Sequence, residues 1–91
     1  MQFAYADSFH STSKHLNHRQ IELLLKAVQK FESSWESGQV PKGIGLAHLR
    51  GTFFEFRVDI HIRVLFRRDK GTILYLLYGS HNDIRNFLKR L

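Results

Sequence analysis

The spacing of apolar residues along this chain changes period once. Between Asn17 and Gly38, the residues Ile21, Leu24, Leu25, Val28, Phe31 and Trp35 recur at i, i+3, i+4, i+7 intervals, which predicts an α-helix with one apolar face. Asn17 and Gln20 have the spacing of a capping box at its start, and Gly38 marks its end. From Phe54 to Arg67 the period is two. Phe54, Phe56, Val58, Ile60, Ile62, Val64 and Phe66 are apolar, while Glu55, Arg57, Asp59, His61, Arg63 and Arg67 between them are polar, with Leu65 the exception. Such alternation predicts two paired strands with an apolar and a polar face. If the chain reverses near Asp59, both strands keep the same side only across an odd-length loop or a bulge.

The remaining segments are shorter. Gln2 to Ala6 alternates around Phe3 and Tyr5 and predicts a first strand, and Ser8 to Leu16 has room for one or two helical turns. The segment Gly38 to Gly45, with the sole proline, Pro41, and three glycines, is a connection. Thr72 to Tyr78, after a turn at Arg68 to Gly71, is apolar at nearly every position, as a central or covered strand would be. Ser80 and Asp83 repeat the capping spacing, and Ile84, Phe87, Leu88 and Leu91 make a last amphipathic helix. The expected order is strand, helical region, three antiparallel strands, helix: an α+β chain written β-α-(α)-β-β-β-α.

Composition narrows the class. A length of 91 residues suits one small domain spanning 1–91, and 43% hydrophobic residues is more than a disordered basic tail carries. The absence of cysteine excludes a disulfide framework, a thiol nucleophile and thiolate zinc sites. The longest stretch without a formal charge, Gly71 to Asn82, is far too short to span a bilayer, and no basic leader precedes an apolar run, so a cytoplasmic, unprocessed protein without membrane contact is expected. The net charge of +6 is unevenly placed. Lys14, Arg19, Lys26 and Lys30 are balanced by Asp7, Glu22, Glu32 and Glu36, so the whole excess lies in residues 42–91. A polyanionic partner and a merely solubilising basic face both account for that asymmetry.

The polar strand face gathers Arg57, Arg63, Arg67 and His61, with Glu55 beside them. Arg57 and Arg63 can lie opposite each other, an arrangement that like charges disfavour unless an anion sits between them. Ordinary pairing of the arginines with Glu55 and Asp59 is the alternative. His81 falls where a strand gives way to a helix, a junction that exposes side chains beside free backbone donors. Of the remaining histidines, His15 and His18 are three apart, but no four-ligand spacing emerges, so neither a metal nor another cofactor is expected. The tail residues Arg85, Lys89 and Arg90 suit either phosphate contact or the dipole at the end of a helix.

Several of these residues also carry a resemblance. Leu49-Arg50-Gly51, Glu55-Phe56-Arg57-Val58, Ile62-Arg63-Val64-Leu65-Phe66 and Leu76-Leu77-Tyr78-Gly79-Ser80-His81, followed by a C-terminal helix, resemble the RelE/ParE toxin superfamily of bacterial type II toxin-antitoxin modules. The resemblance implies a helical layer packed on an antiparallel sheet, with a cognate antitoxin bound in a hetero-oligomer over the active face. For one branch it implies a ribosome-dependent mRNA endoribonuclease that inhibits translation. For the ParE branch it implies inhibition of DNA gyrase, and a degenerate relative that only binds RNA or antitoxin is the third alternative. In the nuclease branch, Arg57 and Arg63 would hold the scissile phosphate, His61 or His81 would transfer a proton, and Glu55 would orient a base or an arginine. Gly79-Ser80-His81 carries over a C-terminal histidine of several nuclease members, and His48 resembles a histidine used by one branch. Arg50, Arg67, Arg85, Lys89, Arg90 and His48 would then line the path of the RNA.

Overall fold

The computed structural model describes residues 1–39 and 42–91, so the expectation placed on Pro41 lies outside the described residues. The elements are β1 (Gln2–Tyr5), α1 (Asp7–Ser13), α2 (His18–Ser37), a 3₁₀ turn (Lys42–Ile44), β2 (Ala47–Arg50), β3 (Phe53–Arg57), β4 (Ile62–Asp69), β5 (Thr72–Ser80) and α3 (His81–Lys89). The strands form one sheet in the order β1-β5-β4-β3-β2. The α+β order read from sequence is present, with one strand more: β2 pairs antiparallel with β3. The sheet is mixed, because β1 pairs parallel with β5 from Gln2↔Thr72 to Tyr5↔Tyr75.

Local chemistry sets the element ends. The Asn17 side chain accepts from the Gln20 backbone N–H and the Gln20 side chain accepts from that of Asn17, so the capping box closes α2 at its start. Gly38, at φ 75°, closes it in the left-handed conformation. The β3–β4 hairpin pairs Phe53↔Arg67 through Arg57↔Arg63. Val58 donates to the Ile62 carbonyl, leaving Asp59, Ile60 and His61 as an odd-length loop, and the Asp59 carboxylate accepts the backbone N–H groups of His61 and Ile62.

The period-two pattern therefore becomes two faces. Phe56, Val64 and Phe66 point toward α2 and pack with Phe31 in the main core, where the Phe31 and Phe56 rings stack at 4.5 Å. Leu65 points the other way and is fully buried beneath α3 with Leu77 and Ile84, which is why an apolar residue interrupts the polar row. A bulge shifts the β4–β5 register between Leu65↔Leu77 and Phe66↔Tyr75. The extra residue, Leu76, lets both Tyr75 and Tyr78 face the main core and erases the alternation of β5. Beyond Tyr75, the edge of β5 left free by the short β1 is met by α1: Ser8 Oγ donates to the Leu76 carbonyl and Thr12 Oγ1 accepts the Tyr78 N–H. Among the described residues, no helix is long and apolar enough to cross a membrane.

Inside the main core, Tyr75 donates its hydroxyl to Glu32 Oε2 at 2.6 Å. Burial first, and the Glu32 carboxylate second, push the Tyr75 phenol far above its ordinary value near 10. Burial likewise raises Tyr5 and Tyr78, aided by Glu32 and Asp59 respectively. Neutral phenols are thus favoured by folding. Their contribution is complete below about pH 10, where the unfolded chain begins to ionise, and is lost as pH rises beyond it. Phenolate absorbance and circular dichroism followed together in alkali are expected to change in one transition above pH 10. Full tyrosine ionisation with the fold retained would contradict this.

A candidate active site on the sheet face beside α3

The site is built on the strand row Arg57, Arg63 and Gly79, in which Arg63 of β4 pairs with Arg57 of β3 on one side and Gly79 of β5 on the other. Two residues past Gly79, His81 begins α3. The Ser80 side chain accepts the Asp83 N–H and Asp83 accepts that of Ser80, fixing the helix start, and the missing side chain at Gly79 makes room for Asp83. A Cβ there would stand 2.8 Å from Asp83 Oδ2.

Glu55 lies two residue pairs along β3 from this row and on its face, opposite Leu65, and is only 3% exposed. Its Oε2 meets Arg63 Nη1 at 3.1 Å, and its Oε1 faces His81 Nδ1 at 3.9 Å. Both Oε1 and Arg63 Nε are buried without a hydrogen-bond partner. A carboxylate withdrawn from water needs compensation. Arg63 supplies one half of it, and a modest turn of the His81 imidazole would bring Nδ1 within hydrogen-bond reach of the other. The His81 side chain is 55% exposed, so with Nδ1 turned to Glu55 its Nε2 can face a ligand in solvent. The site therefore joins a buried anion, a cation held by it, and an accessible imidazole.

The other predicted residues are distributed around this centre. Arg57 is exposed and directly opposite Arg63, as the polar pattern requires, and its side chain lies over Gly45. Gly45 has φ 67°, and a Cβ there would come within 2.9 Å of Arg57 Cβ and 3.3 Å of its Nε, so glycine is needed for both backbone and space. Arg67 pairs with Asp69 at 3.8 Å on the rim. His61, expected on the strand face with the arginines, lies instead in the exposed β3–β4 loop, where its backbone N–H bonds to Asp59. The alternation continues numerically through the loop while the backbone has left the strands.

His48 lies on the opposite face of the sheet from Glu55. It pairs with Phe54, its ring sits 4.8 Å from that of Phe54, and its Nε2 is 2.7 Å from the Gly51 carbonyl. Arg50 Nη2 donates to the Leu88 carbonyl at 2.6 Å, tying β2 to the last turn of α3. Nothing local in the sequence signals that contact across 38 positions. Arg85 and Lys89 are exposed one and two turns along α3 from His81 and share its side of the helix, whereas Arg90 borders a pocket on the flank next to α1. His18 pairs with Glu22 at 3.1 Å, and among the described residues no three His, Asp or Glu side chains are placed to hold a metal ion.

By sequence alone, no family model and no curated protein matches the chain. The fold is matched closely. The RelB–RelE antitoxin-toxin complex from Methanococcus jannaschii gives a TM-score of 0.67 at 13% identity, over 92% of this chain and 96% of the matched one. The DinJ–YafQ complex from E. coli gives 0.65 at 11% identity, over 91% and 96%. The YoeB/ParE toxin from Agrobacterium tumefaciens gives 0.62 at 14% identity, over 89% and 99%. The three helices and five-stranded mixed sheet are those of the RelE/ParE toxin fold, in agreement with the resemblance carried by the sequence motifs.

Proposed function

We propose, from this fold and the group of residues it gathers, that the chain is the toxin of a type II toxin-antitoxin module and cleaves mRNA on the ribosome. The observation that carries the reading is the Glu55–Arg63–His81 cluster on an otherwise basic face. Proton transfer calls for a buried carboxylate facing an accessible imidazole, which simple binding does not require. Cleavage of RNA by its own 2′-hydroxyl needs a proton taken from that hydroxyl, a proton given to the departing 5′-oxygen, and positive charge around the phosphorane between them.

These side chains can supply such a route. Arg63, oriented by Glu55, presents its guanidinium to the scissile phosphate, and Arg57 approaches from the neighbouring strand. The phosphate dianion that develops in the transition state relieves the repulsion between the two arginines, so the attraction grows as the reaction proceeds. His81, with Nδ1 directed at Glu55, carries one of the two proton transfers through Nε2, and water at the exposed side of the site gives or takes the other. Arg85 and Lys89 extend the positive surface along α3 for the remainder of the strand. On this reading the partner that restrains the toxin is an antitoxin whose acidic segment covers Arg57 and Arg63, and raised salt weakens the complex. RelE and YafQ are found in complexes with RelB and DinJ, which supports a partner of that kind.

Induction of the chain in bacteria without antitoxin is expected to arrest translation and to leave mRNA cut within translated regions. DNA damage with intact transcripts would reverse the assignment in favour of gyrase inhibition.

A further inference from the structure

A second basic feature lies away from Glu55 and His81. Lys26 and Lys30, one turn apart on α2, border a pocket of about 240 Å³ whose far wall is Arg57. The Lys30 ammonium lies 3.9 Å from where a Cβ on Gly43 would stand, and Gly43 is part of the pocket lining. Leu23, Ile44 and Val58 give the pocket apolar walls, and none of the residues that line it is acidic. Among the described residues, Lys26, Lys30 and Arg57 form no ion pair, whereas Arg63 is neutralised by Glu55. Three unneutralised cations lining one pocket with apolar walls disfavour one another, and an anion bound there offsets that repulsion at reduced dielectric.

The position of Arg57 identifies the anion. It belongs both to this pocket and to the strand row that contains Arg63, so a track of basic residues, Arg63, Arg57, Lys30 and Lys26, leads from the reacting centre to α2. An isolated carboxylate would need only one end of that track, whereas a polyphosphate chain occupies all of it. We propose that Lys26, Lys30 and Arg57 hold a backbone phosphate of the single-stranded RNA being cleaved, on the side of Arg63 away from His81. This rests on the nuclease reading and assigns α2 a part in substrate binding that the apolar periodicity of that helix did not disclose.

The test is anisotropy with a fluorescein-labelled single-stranded RNA decamer across a salt series, using the full chain and the double variant Lys26→Gln/Lys30→Gln. Both lysines are exposed, and melts accompany each titration. The double variant is expected to bind about tenfold more weakly or worse at low salt, the scale of one or two charge-assisted contacts. The slope of log affinity against log salt should flatten by about 0.7, the share of one phosphate neutralised on a single strand. Lys26→Arg/Lys30→Arg should restore both. Unchanged affinity and slope overturn the proposal. So does a loss confined to ribosome binding, which would move the phosphate to ribosomal RNA, and so does polyglutamate that binds the parent more tightly than RNA through the same lysines. Lysine-dependent RNA binding by a parent that cuts no RNA sustains the pocket and removes the nuclease reading.

Discussion

Replacing His81 with glutamine is expected to lower the proposed RNA cleavage by about 10²-fold or more, the usual scale for losing a positioned proton-transfer group. Glutamine keeps much of the size and some hydrogen bonding but cannot titrate near neutrality. Because His81 is more than half exposed at the start of α3, where Ser80 and Asp83 rather than His81 make the cap, the melt should be unchanged. His61→Gln is the matched comparison. From its place in the hairpin loop, that variant is expected to cut RNA at nearly the parental rate. Parental cleavage by His81→Gln would leave arginine electrostatics and ribosome positioning as the whole mechanism; a large loss in His61→Gln alone would transfer the proton-transfer role to the loop.

Arg63→Ala is expected to have the largest effect on stability as well as abolishing most cleavage. The substitution removes the one cation within 3.1 Å of a carboxylate that is 3% exposed. Breaking a buried pair from one side typically costs about 3–5 kcal/mol, more than the pair itself contributes, because the remaining charge has lost both water and partner. The double change Arg63→Leu with Glu55→Leu removes both charges and should melt at a higher temperature than Arg63→Ala while remaining inactive. Thermal denaturation of the three proteins separates these cases. A double variant no more stable than the single one would show that the Glu55–Arg63 pair is not the energetic unit inferred from its geometry.

What the sequence disclosed follows from how far local rules reach. The α2 stripe and both capping boxes were legible because they depend on residues three or four apart, and the hairpin because each of its faces meets a different environment. β2 has no such signature: its four residues, Ala47 to Arg50, are mostly exposed, too short a run for alternation to register. β5 was legible as a covered strand, but its bulge at Leu76 hid which residue faced which layer. At the site, parity alone put Glu55, Arg57 and Arg63 on one face. His81 is marked by the strand-to-helix junction and the Gly79-Ser80-His81 resemblance. Neither route could foresee that Glu55 Oε1 would be left without a hydrogen bond and aimed at His81, since that depends on how α3 settles over Leu65 and Leu77. The Arg50 bond to Leu88 and the Tyr75 bond to Glu32 belong to the same class of long-range contact.

The parallel pairing of β1 with β5 also has a temporal meaning. Gln2 cannot find Thr72 until nearly the whole chain is available, so the first strand made is among the last to be placed. Closing so long a loop is entropically costly and slow, and contacts of this separation are the ones that delay folding. The strand that β1 awaits leads directly into His81, and the row that contains Arg63 is completed by Gly79 of the same strand. During synthesis, then, the nascent chain carries Arg57 and Arg63 before the strand and helix that complete their surroundings, so the proposed site is assembled late. On the proposed nuclease reading, topology would shield the ribosome that makes this protein until α3 has emerged.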